Sequence, residues 1–107
     1  MNGEKLGVVL VRAADQTTAE QISNSLLDRK LAACVNIVPG LISLYRWEGS
    51  VEKDQEVLLI IKTRLALFDE LSKQVMKDHP YQNPEVIALP IEMGAHPYLN
   101  WIESETG

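Results

Sequence analysis

A long apolar segment that bends in its middle constrains the fold more than any other feature of this chain. The segment runs from Leu31 to Gly49 and is typical of one extended strand that ends in a turn. A second apolar run, from Glu56 to Thr63, follows that turn. Together they predict a hairpin far longer than the usual strand of about five or six residues. A small domain cannot cover such a hairpin alone, so we expect copies of the same chain to pair with its free edges.

Pro39 and Gly40 interrupt the first strand of this hairpin. Proline donates no backbone hydrogen bond, and glycine brings no side chain to the packing, so the pair cannot sustain a regular central ladder. We therefore expect a bulge or bend at this point, where the strand changes its sheet or its partner.

A short strand and an amphipathic helix precede the hairpin. Residues 6–11 form a β-branched run that suits a strand buried on both faces. Residues 19–26 place apolar side chains at helical spacing. Thr17 and Glu20 have the Thr-x-x-Glu spacing of a capping box, which predicts the start of this helix.

Three elements follow the hairpin. Residues 67–75 again have the spacing of an amphipathic helix, and Pro80 must end it. Residues 86–91 predict a fourth strand, and Pro90 near its end suits the edge of a sheet. Pro97 fits the first turn of a short C-terminal helix.

The predicted order is β-α-β-β-α-β followed by a C-terminal helix. Right-handed crossovers turn this order into a ferredoxin-like α+β fold, with a four-stranded antiparallel sheet and two helices on one of its faces. A chain of 107 residues supports one apolar core, so we expect residues 1–107 to form a single domain.

Charge and composition exclude several partners. The formal net charge of -5 opposes binding to nucleic acid and to anionic membranes. No apolar run approaches the roughly 20 residues that a membrane span requires. Residues 1–5 lack the pattern of a signal peptide, and the single cysteine cannot form an internal disulfide. These features predict a soluble, cytoplasmic protein that binds neither nucleic acid nor membrane.

Two functions common on related folds do not suit the residues. A phosphate-cleaving enzyme would need a glycine-rich loop after the first strand, and residues 12–15 contain no glycine. An RNA-recognition domain would present aromatic side chains on a central strand, where residues 57–61 are all aliphatic. We therefore expect a protein that is not an enzyme.

Six spaced blocks of sequence extend over nearly the whole chain. They are LAACVNI with PG at residues 31–40, SLYRWEG at 43–49, IKT at 61–63, HPYQNPE at 79–85, LPI at 89–91 and YLNW at 98–101. Together these blocks resemble one family, the CutA1 divalent-cation tolerance proteins. The resemblance implies a ferredoxin-like subunit in a PII-like homotrimer, whose hairpin edges pair between subunits. It also implies a role in tolerance of copper and other divalent cations.

Cys34 and His79 are the side chains best suited to bind a soft metal ion. Copper is associated in some relatives with a first-strand cysteine and two consecutive histidines before Pro-Tyr. The matching positions here are Val11 and Asp78, so only His79 carries over. We expect copper(II) or another divalent cation to bind weakly, with His79, Cys34 and Asp78 as the candidate ligands. The alternatives are a small core residue at Cys34 and a helix-capping side chain at His79.

The resemblance also implies a cleft where neighbouring subunits meet. A trimeric sensor that binds a small anionic metabolite there, through Lys62 and Arg46, is the alternative to metal tolerance, and a scaffold for assembly is another. Lys62 follows five apolar residues, so its ammonium either emerges at the strand end or pairs with Glu56 or Glu85. The residues implied to cluster near the cleft are Cys34, Asn36, Tyr45, Trp47, Lys62, His79, Tyr81 and Glu85.

Tyr98 and Trp101 are candidate contacts between subunits. Both lie in the predicted C-terminal helix, and large aromatic side chains with one polar atom commonly anchor interfaces. Tyr45 and Trp47 have the same alternative role, as anchors rather than ligand-binding residues. The sequence therefore leaves open whether these aromatics bind a ligand or a neighbouring chain.

Overall fold

The computed structural model describes residues 5–107, so the signal-peptide interpretation of residues 1–5 lies almost entirely outside the described residues. The strands and helices follow in the predicted order, and a short 3-10 turn at Leu65–Leu67 precedes the second helix. The elements are β1 Leu6–Ala13, α1 Gln16–Asp28, β2 Cys34–Trp47, β3 Ser50–Arg64, α2 Phe68–Asp78, β4 Val86–Pro90 and α3 His96–Ser104.

The four strands form one antiparallel sheet in the order β2-β3-β1-β4. This arrangement confirms the predicted α+β fold and places β4 at an edge. It also places β2, the longer of the two outer strands, at the opposite edge. Each outer strand therefore keeps one row of backbone groups that no other strand within residues 5–107 pairs with.

Only one face of the sheet is covered by helices α1 and α2. Side chains from β1 and β3 alternate toward these helices and form the core with Ile22, Leu26 and Leu71. The predicted burial of β1 on both faces is wrong for the single chain, because its other side chains are only partly buried. We call the uncovered surface the open sheet face; its apolar side chains are Val8, Leu10, Val38, Leu58, Ile60, Ile87 and Leu89.

The hairpin of β2 and β3 extends well past the rest of the sheet. The pairing of β1 with β3 ends at Ala13 and Val57, while the pairing of β2 with β3 continues to Trp47 and Ser50. Residues 41–47 and 50–56 therefore form an overhang. Its turn has positive φ angles at both central residues, as tight hairpins require.

The predicted bulge at Pro39 and Gly40 is confirmed. The ladder between β2 and β3 skips from Val38 to Leu41, and Gly40 has a φ of 79°. That angle favours glycine because other residues meet steric clashes there. The bulge divides β2 into a half that belongs to the sheet and a half that belongs to the overhang.

Two boundaries differ from the prediction. β2 begins at Cys34 rather than Leu31, because the amide of Leu31 still donates to the carbonyl of Leu26 and closes the end of α1. Helix α1 is capped by Asp15, whose carboxylate accepts from the amide of Thr18 at 2.8 Å. The predicted capping box is therefore wrong, since the cap lies two residues before Thr17.

Candidate functional site

The predicted site residues form two groups at opposite ends of the β2–β3 ladder. Tyr45 and Trp47 lie in the overhang, opposite Glu52 and Ser50. Cys34 lies opposite Lys62, ten residues further along β3 than Glu52. Ten residues of extended strand span about 33 Å, so one chain does not bring the two groups together.

The first group lines a cleft between the overhang and the loop after α2. Its volume is about 600 Å³, which is within the range of small-molecule sites. Of the predicted cleft residues, Tyr45, Trp47 and Tyr81 line it. We call it the hairpin cleft; its walls are Arg12, Tyr45, Arg46, Trp47, Glu52, Asp54, Glu56, Tyr81, Gln82 and Asn83.

Arg12 organises the floor of the hairpin cleft. Its guanidinium pairs with Glu56 at 3.2 Å and with Glu85 at 2.9 Å. Glu56 is 5% exposed, and its second carboxylate oxygen accepts from the Tyr81 hydroxyl at 2.7 Å. Glu56 and Glu85 therefore pair with Arg12, and the predicted pairing of Lys62 with either of them is wrong.

His79 holds the loop after α2 against β1. Its Nδ1 accepts from the amide of Tyr81 at 3.1 Å, and its Nε2 lies 2.6 Å from the carbonyl oxygen of Arg12. An amide can only donate and a carbonyl can only accept, so Nε2 carries the proton and the ring is neutral. The imidazole bonds to a carbonyl of β1, and so it does not cap the carbonyls of α2.

This arrangement leaves His79 without a ring nitrogen for a metal ion. The nearest predicted co-ligand, Asp78, accepts from Gln74 at 2.9 Å. Cys34 lies opposite Lys62, whereas the Arg12 carbonyl bound by His79 lies opposite Leu58, about 13 Å away along β3. Across residues 5–107, no group of three His, Cys, Asp or Glu side chains could hold a metal ion.

The second group surrounds Lys62 at the other end of the ladder. The Lys62 ammonium donates to the side-chain oxygen of Asn36, and the Cys34 thiol lies 3.6 Å from the same oxygen. Cys34 is only partly buried, so it is not a residue of the helix-covered core. In the part of the chain that the structure describes, Lys62 makes no ion pair.

Two tyrosines report a negative potential in the hairpin cleft. A hydrogen bond to Asp54, burial and the neighbouring carboxylates raise the pKa of Tyr45 to about 12. Burial and a hydrogen bond to Glu56 raise the pKa of Tyr81 as well. Nearby carboxylates contribute to both shifts because they oppose the formation of a phenolate, and at Tyr81 burial is the larger cause. The lining of the cleft carries three carboxylates and two guanidinium groups, so its net charge is negative.

Tyr98 and Trp101 remain largely on the surface of the single chain. Their side chains are 44% and 39% exposed, and their ring centroids are 5.6 Å apart. The pKa of Tyr98 is raised by burial and by its contact with Cys34, which places this end of α3 beside the second group. The two aromatics are thus available to a neighbouring molecule.

The sequence analysis did not identify Arg12 and Glu56 as the centre of the cleft. Arg12 is the last residue but one of β1, and Glu56 precedes Val57, the residue of β3 that pairs with Ala13. In a ferredoxin-like fold β1 and β3 are antiparallel neighbours, and this pairing is the signal that could have identified them. A charge at each of these positions predicts an ion pair once that register is assumed.

No helix within residues 5–107 is long and apolar enough to cross a membrane.

Comparison with known proteins gives one family. A family model described as CutA1 divalent ion tolerance protein matches residues 7–105. The divalent-cation tolerance protein CutA of Thermus thermophilus is 48% identical over 100 residues, which cover 94% of this chain and 97% of that protein. The chloroplastic CutA of Arabidopsis thaliana is 50% identical over 99 residues, and the chain spans about half of its length, 54%.

The similarity extends to three dimensions. The crystal structure of CutA1 from Oryza sativa superimposes with a TM-score of 0.94 at 48% sequence identity. The match covers 96% of this chain and 94% of that chain. The open sheet face, the overhang and the hairpin cleft thus belong to a fold that solved relatives share.

Proposed function

The chain belongs to the CutA1 divalent ion tolerance protein family. We propose that it acts in divalent-cation tolerance as a PII-like homotrimer, in which the open sheet faces of the three subunits pack against one another. It is a divalent-cation tolerance protein of the CutA1 type. The observation that carries the proposal is the open sheet face. Seven apolar side chains lie on it, and Ile87 and Leu89 at its β4 edge are about half exposed.

The overhang supports the same assembly. Ile42, Leu44 and Val51 are 57%, 68% and 65% exposed on its other surface. Large apolar patches of this kind mark interaction sites because their exposure to water is unfavourable. Pairing with neighbouring copies would cover them, and would also satisfy the free backbone groups along β2 and β4.

Light scattering tests the proposal directly. At micromolar concentration we expect a mass three times the 12.0 kDa of the chain. Because the apolar faces are large, the mass should stay constant on tenfold dilution. A monomeric mass would contradict the proposed assembly.

We propose that divalent cations such as copper(II) bind this protein directly but weakly. We expect weak affinity because both ring nitrogens of His79 already make hydrogen bonds within the chain. Cys34 also lies too far from His79 to bind the same ion. Carboxylates then remain as the main ligands, and single carboxylates hold soft metals poorly.

Calorimetric titration with copper(II) and zinc(II) checks this expectation. We expect only weak binding, and we expect the isotherms of His79→Ala and Cys34→Ser to superimpose on that of the unmodified protein. Saturable binding that disappears in His79→Ala would contradict the prediction and would require the His79 ring to leave its two hydrogen bonds.

One observation favours a second candidate, a sensor of small anionic metabolites. Lys62 donates to Asn36 and has no carboxylate partner among residues 5–107, so its charge is available to an anion. Arg46 lies in the overhang, opposite Val51, and cannot reach the same anion in one chain. This candidate therefore depends on Lys62 and on a neighbouring subunit.

We further propose a cytoplasmic location and a role without catalysis. The location is supported by the charge and composition of the chain, although one relative is named as chloroplastic. The hairpin cleft supports the absence of catalysis, because its buried carboxylate, Glu56, is bonded to both Arg12 and Tyr81. Groups that neutralise each other in this way are poor acids, bases or nucleophiles.

A further inference from the structure

The open sheet face carries opposite charges at its two ends. Alternate residues of a strand point to the same side, so every second residue of β3 contributes to this face. The end in the overhang is acidic, the middle is apolar and the other end is basic. From the turn onward, these residues are Glu52, Asp54, Glu56, Leu58, Ile60 and Lys62.

The acidic end is suited to an ammonium group. Glu52 and Asp54 make no ion pair among the described residues, whereas the charge of Glu56 is balanced by Arg12. Tyr45 and Trp47 stand beside these two carboxylates in the hairpin cleft. Carboxylates together with the faces of aromatic rings are the chemistry that binds ammonium groups in proteins.

Lys62 supplies an ammonium that lacks such a partner. Its single hydrogen bond within the described chain goes to a neutral amide, that of Asn36. If a second copy covers the open sheet face, the Lys62 charge loses much of its water. That burial costs several kcal/mol unless a carboxylate compensates for the loss.

One chain cannot make this compensation itself. Asp54 and Lys62 are eight residues apart on the same extended strand, or about 26 Å. A closed ring of three copies joins two different patches at each contact, since every copy presents one patch to each neighbour. The acidic end and Lys62 are two such patches, and they have opposite charge.

We propose that Lys62 of each subunit enters the hairpin cleft of the next subunit and pairs there with Asp54 and Glu52, beside Tyr45 and Trp47. The inference rests on the proposed trimer, and it identifies which surfaces meet in it. The hairpin cleft is therefore complete only in the assembly. It also leaves no free Lys62 charge for a small anion.

Carbodiimide cross-linking tests the pairing. The reagent joins an amine to a carboxylate only when the two are in contact, and the distance within one chain forbids that for Lys62 with Asp54 or Glu52. We expect mass spectrometry to find Lys62 linked to Asp54 or Glu52 in protein whose mass by light scattering is trimeric. Asp69 and Lys73, four residues apart on α2, serve as the internal control for the reagent.

The outcomes separate this inference from the trimer proposal. If the protein is trimeric and Asp69 links to Lys73 but Lys62 links to neither carboxylate, the pairing is overturned and the trimer stands. If the protein is monomeric, both are overturned. A second experiment uses charge reversal. Lys62→Glu should weaken the trimer, so that the protein concentration below which it dissociates rises at least about tenfold. The double variant Lys62→Glu with Asp54→Lys should restore the original value. Failure of the double variant to recover would also overturn the pairing.

Discussion

Ile60→Asp should convert the proposed trimer into a folded monomer. Ile60 lies in the middle of the open sheet face, between Leu10 of β1 and Asn36 of β2. In the single chain this face meets water, so the variant should keep its fold. In the trimer the new carboxylate would be buried without a partner, at a cost of about 3 kcal/mol per contact, which weakens each contact roughly a hundredfold.

Light scattering and circular dichroism check this prediction together. Met76→Asp is the matched control, because Met76 is an apolar residue on α2 that is 50% exposed and lies outside the open sheet face. We expect the control to remain trimeric. A trimeric Ile60→Asp variant with an unchanged spectrum would show that the sheet face is not the interface.

Glu56→Ala should be the most destabilising change in the hairpin cleft. It removes the buried carboxylate that pairs with Arg12 and accepts from Tyr81, so both partners lose a bond. Breaking a buried ion pair costs about 3–5 kcal/mol. We expect about 3 kcal/mol, the lower end, because Arg12 is 30% exposed and keeps Glu85 as a partner.

Urea denaturation at one fixed protein concentration measures this effect, since the stability of an oligomer depends on concentration. Glu92→Ala removes an exposed carboxylate that lies outside the hairpin cleft and outside the proposed pairing, and we expect it to change the free energy of unfolding by less than about 0.5 kcal/mol. Equal effects of the two substitutions would contradict the role assigned to the Glu56 network.

The local features of the fold were predictable because short-range rules govern them. Pro39 and Gly40 break a ladder wherever they occur in a strand, and Pro80 ends a helix whatever packs beside it. The cap of α1 was predicted two residues too late, at Thr17, because the Thr-x-x-Glu pattern also occurs inside the first helical turn. Asp15 accepts from the amide of Thr18 instead and lies at the true start.

The candidate site was harder to predict because its bonds are between distant residues. Arg12 and Glu56 are 44 residues apart, and only the pairing of β1 with β3 brings them together. The sequence left Lys62 either at the strand end or paired with an acid, whereas the register of β2 places the Asn36 amide beside it. The two ends of the hairpin are also too far apart for one chain to join them.

The bulge at Gly40 limits how the overhang can change in length. Beyond it, each side chain of the hairpin keeps its surface only while the pairing stays in register. Inserting or deleting one residue per strand would move Tyr45 and Asp54 to the opposite surface, because successive side chains alternate. Natural variants of the hairpin should therefore grow or shrink by two residues per strand, about 7 Å of reach at a time.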